Sequence, residues 1–175
     1  MTATLTAMPP LPTPADTRAA LVARPVLTEA DALVLGRVRD RQRAGFSNDN
    51  SPIDDDRQRA WWAGWHNRIN AYLYYDGASL VGYSALIQRM DGTWVSSLAV
   101  LPEHEGRRFG RAMLHHLIGS VGHEVYAQAR ADNPAAVALH NALDWEETDQ
   151  THHLIFFRTW PKIRTEYPVT LGGYE

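Results

Sequence analysis

The spacing of apolar and polar positions changes several times along the chain, and each change marks an element. Leu21 to Leu27 (LVARPVL) reads as a first strand. Thr28 then stands where a helix N-cap is wanted, ahead of EADALVLGRVRDRQ, in which Leu33, Leu35 and Val38 mark an apolar face. The polar run NDNS, residues 48–51, closes that helix region. Ser51 as cap, Pro52 at the first helical position and Asp54 to Asp56 in the first turn predict a second helix, which carries Trp61, Trp62 and Trp65. AYLYY, residues 71–75, an Asp76-Gly77 turn and SLVGYSALI, residues 79–87, predict a hairpin, and Asp91-Gly92 leads into TWVSSLAV, residues 93–100. These are three consecutive antiparallel strands. A helix from Arg107 to Val121 follows, with Phe109, Met113, Leu117 and Val121 four apart on one face.

The remaining pattern is shorter. VYAQA, residues 125–129, is a buried-type strand, Asn133-Pro134 opens a helix through Leu143, and Trp145 to Thr148 and His153 to Arg158 read as two more strands. Strands and helices in this order predict an α/β (α+β) domain around one central, mostly antiparallel sheet. The expected organisation is a flexible leader over residues 1–20, the domain over 21–160, and a tail over 161–175 that packs or pairs with another subunit, so a homodimer is a candidate assembly.

Composition narrows the functions. A length of 175 residues suits one well-buried core. The formal charge of −3, with no extended basic run, lacks the footprint of a nucleic-acid binder. No apolar stretch approaches the ~20 residues that cross a bilayer, so no membrane partner is expected. With no cysteine, disulfides, thiol nucleophiles and thiolate metal sites are excluded, and the composition fits a reducing cytoplasm. The chain has 8 histidines, but His115-His116 and His152-His153 point to different sides of their elements, and no pair has metal-binding i, i+4 spacing, so no metal is expected.

The informative stretch is PEHEGRRFGRAML, residues 102–114. A strand ending at Val100, a tight turn through Pro102 and a glycine-containing helix start present free backbone N–H groups to an anion. From Leu21 to Arg158 the chain resembles the GNAT superfamily of acyl-CoA-dependent N-acetyltransferases. The resemblance lies in SLAVLPEHEGRRFGRAMLHHLI followed, at the right separation, by VYAQARADNPAAVALHNALDWEE. It implies a sheet of about seven strands, splayed between the fourth and fifth and flanked by about four helices.

The resemblance also implies site residues. Leu98, Ala99, Val100 and the run Glu105, Gly106, Arg107, Arg108, Phe109, Gly110 and Arg111 would hold the cofactor, with backbone amides on its pyrophosphate. Asn133, Ala136 and His140 would line the pantetheine arm. The family's loop pattern is Arg or Gln, two residues, Gly, one residue, Gly or Ala. Arg107, Gly110 and Ala112 match it literally. A second register is preferred, because it places Phe109, Met113 and Leu114 on the family's apolar helix positions; it puts Glu105 at the Arg/Gln position, Arg108 at the middle glycine and Gly110 at the last. In that register Arg108 is expected to adopt ordinary helical dihedrals. Arg107 or Arg108 would add a charge-assisted contact to a phosphate, and Glu105 would point away or pair with one of those arginines.

The implied activity is transfer of acetyl from acetyl-CoA to a primary amine of a small molecule. An amino sugar or nucleotide-linked amino sugar leads, on the strength of IDDDRQRAWW. A protein or peptide N-terminus and a CoA-binding module without turnover are the alternatives. The N–H of Leu98 would polarise the thioester carbonyl. His140 stands where the family usually has a tyrosine that protonates the departing thiolate. A histidine with pKa near ~6.5 could supply that proton, or His140 only packs there. No general base stands out. Trp94 and Ser96 share strand parity with Leu98 and are expected toward the acceptor channel. Trp62 is the candidate among the three helix tryptophans, against the plainer reading that they pack in the core.

Overall fold

The computed structural model describes residues 21–47, 50–160 and 169–172; the expected leader lies outside them. β1 (Leu21–Pro25) leads to Thr28, whose hydroxyl accepts from the Asp31 N–H while the Asp31 carboxylate accepts from the Thr28 N–H at 2.9 Å. This reciprocal cap satisfies two otherwise orphaned donors and starts α1 (Glu29–Arg41). The second helix starts later than expected. Asp54, not Ser51, is its cap, accepting from the Arg57 N–H at 2.7 Å, and α2 spans Asp55–Trp65. The reason is tertiary: the Asp40 carboxylate on α1 accepts from the Ile53 N–H at 3.0 Å and holds the chain extended up to Asp54.

β2 (Ile69–Asp76), β3 (Ser79–Gln88) and β4 (Trp94–Val100) form the expected antiparallel meander. α3 (Phe109–Gly119), β5 (Val125–Arg130), α4 (Pro134–Asn141), β6 (Glu146–Gln150) and β7 (Leu154–Thr159) follow. Val121 lies just past α3, because the Ser120 N–H already closes the helix on His116 and Leu117 carbonyls. An eighth strand, β8 (Val169–Leu171), pairs parallel with β1 of the same chain. It falls within the span expected as a tail and brings the sheet among the described residues to eight strands, against about seven expected. The sheet order is β6-β7-β5-β4-β3-β2-β1-β8, a mixed sheet flanked by four α-helices.

The two faces of the sheet are covered by different helices. Met113, Leu114, Leu117 and Ile118 bury the apolar stripe of α3 on one face, while Ala32, Leu35 and Val38 of α1 pack with Leu73, Tyr83, Ala85 and Ala99 on the other. Each such aliphatic side chain contributes roughly 1.5–3 kcal/mol on burial. β4 runs between these layers, half-buried except for the buried Ala99, and it is the strand on which the site is built.

Candidate active site

β4 and β5 are joined by a single parallel pair, Val95 with Tyr126. Beyond Val95 the two strands part and leave a cleft of about 920 Å³. The Leu101 N–H donates to the Val81 carbonyl at 2.8 Å, so odd-numbered backbone groups of β4 face β3. Even-numbered ones, including the Leu98 N–H, face the gap. The Val100 carbonyl on that same edge accepts from Gln42 Nε2 at 2.5 Å.

At the end of β4, a short 3₁₀ turn over Pro102–His104 delivers the chain to the start of α3. From Gly106 to Gly110 the backbone N–H groups have no acceptor among the described residues. Two left-handed residues, Gly106 at φ +73° and Arg108 at φ +63°, curve this row into a concave nest at the head of α3. Arg108 thereby departs from the helical dihedrals expected of it. The left-handed turn falls on Arg108 and not on Gly110, so the glycine-favouring position of the loop is the one assigned by the second register. A Cβ on Gly110 would find only ordinary contacts with Leu98, Val100 and Leu139, at 3.6–3.7 Å, so alanine fits there.

The charged side chains of the loop are arranged differently from expectation. Arg107 turns to Asp76 at 2.7 Å, lies over the Phe109 ring at 4.5 Å and donates to His104 Nδ1 at 3.3 Å. Because a guanidinium only donates, His104 carries its proton on Nε2 and gives it to the Ser79 hydroxyl at 3.1 Å. Arg107 therefore fastens the loop to the β2–β3 turn instead of reaching for a phosphate. Glu105 pairs with neither arginine; it accepts from Gln42 Nε2 at 2.8 Å. Arg108 and Arg111 line the cleft and have no side-chain partner among the described residues.

α4 forms the opposite wall. Asn133 caps it, its Oδ1 accepting from the Ala136 N–H at 3.1 Å, while its Nδ2 donates to the Gly45 carbonyl at 3.3 Å. Ala136 and His140 face the same cleft. His140 is buried, stacked on Phe157 at 4.7 Å and edge-on to Trp145 at 4.9 Å, and the buried indole Nε1 of Trp145 has no acceptor among the described residues. The His140 Nδ1 lies 2.8 Å from the Ala136 carbonyl, so it must carry the proton, leaving Nε2 as an acceptor. Burial holds the imidazole below its ordinary pKa of 6.5. This corrects the picture of a histidine of ordinary pKa donating near neutral pH: at neutrality Nε2 holds no proton to give.

α1, α2, β3 and the start of β4 bound the other half of the cleft. Ser96 lines it, as does Ser97, whose hydroxyl meets Tyr83 Oη at 2.8 Å. Burial pushes the Tyr83 phenol up to about 12, so it stays protonated. Trp94 is elsewhere, stacked on His123 at 5.2 Å. Trp62 packs with the core under α1 and against His66, and Trp61 and Trp65 face the cleft in its place. A helix of 3.6 residues per turn cannot present all three indoles to one cavity. The acidic run at the start of α2 is consumed locally: Asp54 caps the helix, Asp55 pairs with Arg37 at 2.8 Å and Asp56 with Arg59 at 2.7 Å. Sequence reasoning missed Gln42 and Gln58, which line the cleft from α1 and α2. Neither belongs to a motif, and only the packing of the two helices brings them there. Among the described residues, no group of three or more His, Asp or Glu side chains is placed to hold a metal ion.

A family model for the acetyltransferase (GNAT) family matches residues 35–145, more than half of the chain. The chain belongs to that family. The GNAT architecture is also that of a putative acetyltransferase, yncA, from Salmonella typhimurium solved with its cofactor acetyl-CoA; the two are 20% identical with a TM-score of 0.69, over 85% of this chain and 98% of that one. A spermidine N-acetyltransferase from Vibrio cholerae, solved with CoA and spermine, has a TM-score of 0.68 at 15% identity, over 82% and 97% of the two chains. In sequence, 76 residues are 36% identical to the N-alpha-acetyltransferase RimI of Mycobacterium tuberculosis, covering 40% of this chain and 48% of that one. The chain spans less than half the length of the curated relatives it matches, 37% and 48%. No helix among the described residues is long and apolar enough to cross a membrane.

Proposed function

We propose that the protein transfers an acetyl group from acetyl-CoA to a primary amine. The observation that carries this reading is the row of unbonded N–H groups from Gly106 to Gly110, curved by two left-handed residues at the head of α3 and opening on the cleft between β4 and β5. A diphosphate suits that row: backbone donors and the helix dipole both favour an anion. Arg108 and Arg111 add positive charge on the same wall, and Asn133, Ala136 and His140 line the path a pantetheine arm would take. When bound, acetyl-CoA supplies the activated acyl carbon and the thiolate leaving group.

The chain's own groups do the rest. The Leu98 N–H, on the open edge of β4, would donate a hydrogen bond to the thioester carbonyl oxygen as negative charge builds there during attack by the amine nitrogen. His140 Nε2 is unprotonated at rest, so it takes the proton that the nitrogen must lose as the C–N bond forms. It then returns that proton to the sulfur as the C–S bond breaks, and the histidine ends as it began. The other titratable candidates among the described residues lining the cleft are committed elsewhere: Tyr83 stays protonated, Glu105 is engaged by Gln42 at the loop, and His104 is held between Arg107 and Ser79. The amino-sugar acceptor rests on the likeness of IDDDRQRAWW alone, because Asp54 to Asp56 are engaged at the start of α2. The partial likeness to an N-alpha-acetyltransferase favours a second reading, a peptide N-terminus as acceptor.

Calorimetric titration with CoA tests the first half of the proposal, and amine-dependent release of thiol from acetyl-CoA tests the second. The chain has no cysteine to obscure the thiol signal. Binding without thiol release from any amine would leave a CoA-binding module, and no binding would sink the proposal. His140→Ala is expected to lower kcat about 100-fold with CoA affinity retained; an unchanged kcat would remove His140 from the proton path.

A further inference from the structure

We infer that Gln42 is a positioning residue for the cofactor: its amide draws the Glu105 carboxylate off the nest at the head of α3, so that the row from Gly106 to Gly110 stays open to a diphosphate. This rests on the reading of that nest as the diphosphate site. Glu105 directly precedes the row, and among the described residues lining the cleft it is the only carboxylate. It is the one anion that the chain itself brings to this wall, and a bound diphosphate would be repelled by it. No guanidinium pairs with it among the described residues: Arg107 is held by Asp76 at 2.7 Å, and Arg108 and Arg111 have no side-chain partner.

The amide of Gln42 is held in one orientation. Its Nε2 donates to the Val100 carbonyl at 2.5 Å and to Glu105 Oε1 at 2.8 Å, which uses both hydrogens of the nitrogen. Turned over, the amide would set its own oxygen against two acceptors. The Val100 carbonyl is main chain at the edge of β4, so of the two partners Glu105 is the one that gives way and follows. Gln42 is also the C-cap of α1, its N–H returning to the Arg39 carbonyl at 3.1 Å, and Arg41 beside it forks onto Glu103 with two contacts of 3.0 Å. The end of α1 is thereby fastened to the turn that feeds the nest, which sets the reach from Gln42 to Glu105.

Without that amide the carboxylate has two other places to go. The unbonded N–H groups of the nest favour any anion, and a carboxylate accepting from them makes charge-assisted hydrogen bonds. Arg108 and Arg111 on the same wall are the second attraction. Either choice fills the site with an internal anion, and a carboxylate loose at its mouth repels phosphate. A neutral amide restrains Glu105 and still leaves both guanidinium groups for the ligand.

The test is calorimetric titration of the full chain with CoA, and it needs no turnover. Gln42→Met keeps the length of the side chain and removes both donors. It should weaken CoA binding by about 10-fold at low salt, and the loss should shrink as ionic strength rises, because it comes from charge. Glu105→Gln should raise CoA affinity about 3-fold with Gln42 present and about 30-fold in the Gln42→Met background, so the double variant binds at least as tightly as the parent. If Gln42 served only to hold α1 on β4, the loss would persist when Glu105 is neutralised, at every salt concentration. Gln42→Asn, one methylene too short to span both acceptors, serves in the same cycle if Gln42→Met does not fold. Unchanged or tighter CoA binding in the Gln42 variant, or a loss that Glu105→Gln does not restore, would overturn the inference. Failure of the parent chain to bind CoA would instead remove the reading beneath it.

Discussion

The two walls of the cleft are made from different materials. The wall at the head of α3 is main chain: N–H groups of consecutive residues, shaped by the dihedrals of Gly106 and Arg108 and tied down through Arg107 and His104. The wall beneath α1 and α2 is side chain, with Gln58, Trp61, Trp65 and Arg39 arriving from two helices. A main-chain site tolerates exchange of its side chains and fails when its dihedrals change. A side-chain site is the reverse, keeping its backbone while a single atom alters what it accepts. The difference suits one invariant ligand on the first wall and a variable one on the second.

This contrast can be broken most forcefully at Gly106. A β-branched residue at φ +73° is strained, so Gly106→Val should flatten the nest and weaken CoA binding by about 100-fold, near 3 kcal/mol, in calorimetry. An unaltered affinity would mean the main chain is not what holds the diphosphate. On the other wall, Gly36→Ala places a methyl group against Gln58; the flexible amide gives way, so kcat/KM for the acceptor should fall by about 10-fold while CoA binding stays as it was. Loss of both together would show that the walls are not independent.

Smaller effects sharpen the picture. Arg108→Gly relieves a left-handed arginine and should stabilise the fold by about 1 kcal/mol, raising Tm by about 2–4 °C, while a modest loss of CoA affinity reports the missing charge. The smallest effect is in pH. The His140 pKa is depressed in the folded chain, so as pH falls below 6.5 the unfolded chain takes up a proton that the native one refuses, and stability drops. The decline runs from 6.5 down to the lowered native value. His140→Gln should flatten that part of a Tm-against-pH curve, although His116, depressed by burial and by His115, keeps a share of the slope.

What the residues announced in advance follows the same division. The Thr28 cap, the meander with its Asp76-Gly77 turn, the stripe of α3 and the run from Gly106 to Gly110 were all legible, since each depends on residues within a few positions of one another. The backbone of Arg108 was misread because alternation and periodicity report side-chain faces and carry no sign of φ. Asp54 displaced Ser51 as a cap because Asp40, on another helix, holds Ile53. His140 was found by position, but its proton state depends on Phe157, Trp145 and the Ala136 carbonyl around it.

The sequence by itself determined the family, the order of elements from β1 to β7 and the turn that opens α3, because local spacing dictates turns, caps and helix starts. Only the tertiary structure decided which indoles face the cleft, where Arg107 points, that β8 returns to β1, and that Gln58 lines the cleft. Those outcomes depend on how far each helix is rotated about its axis and how two helices meet, and a rotation of one residue, about 100°, exchanges core for cavity.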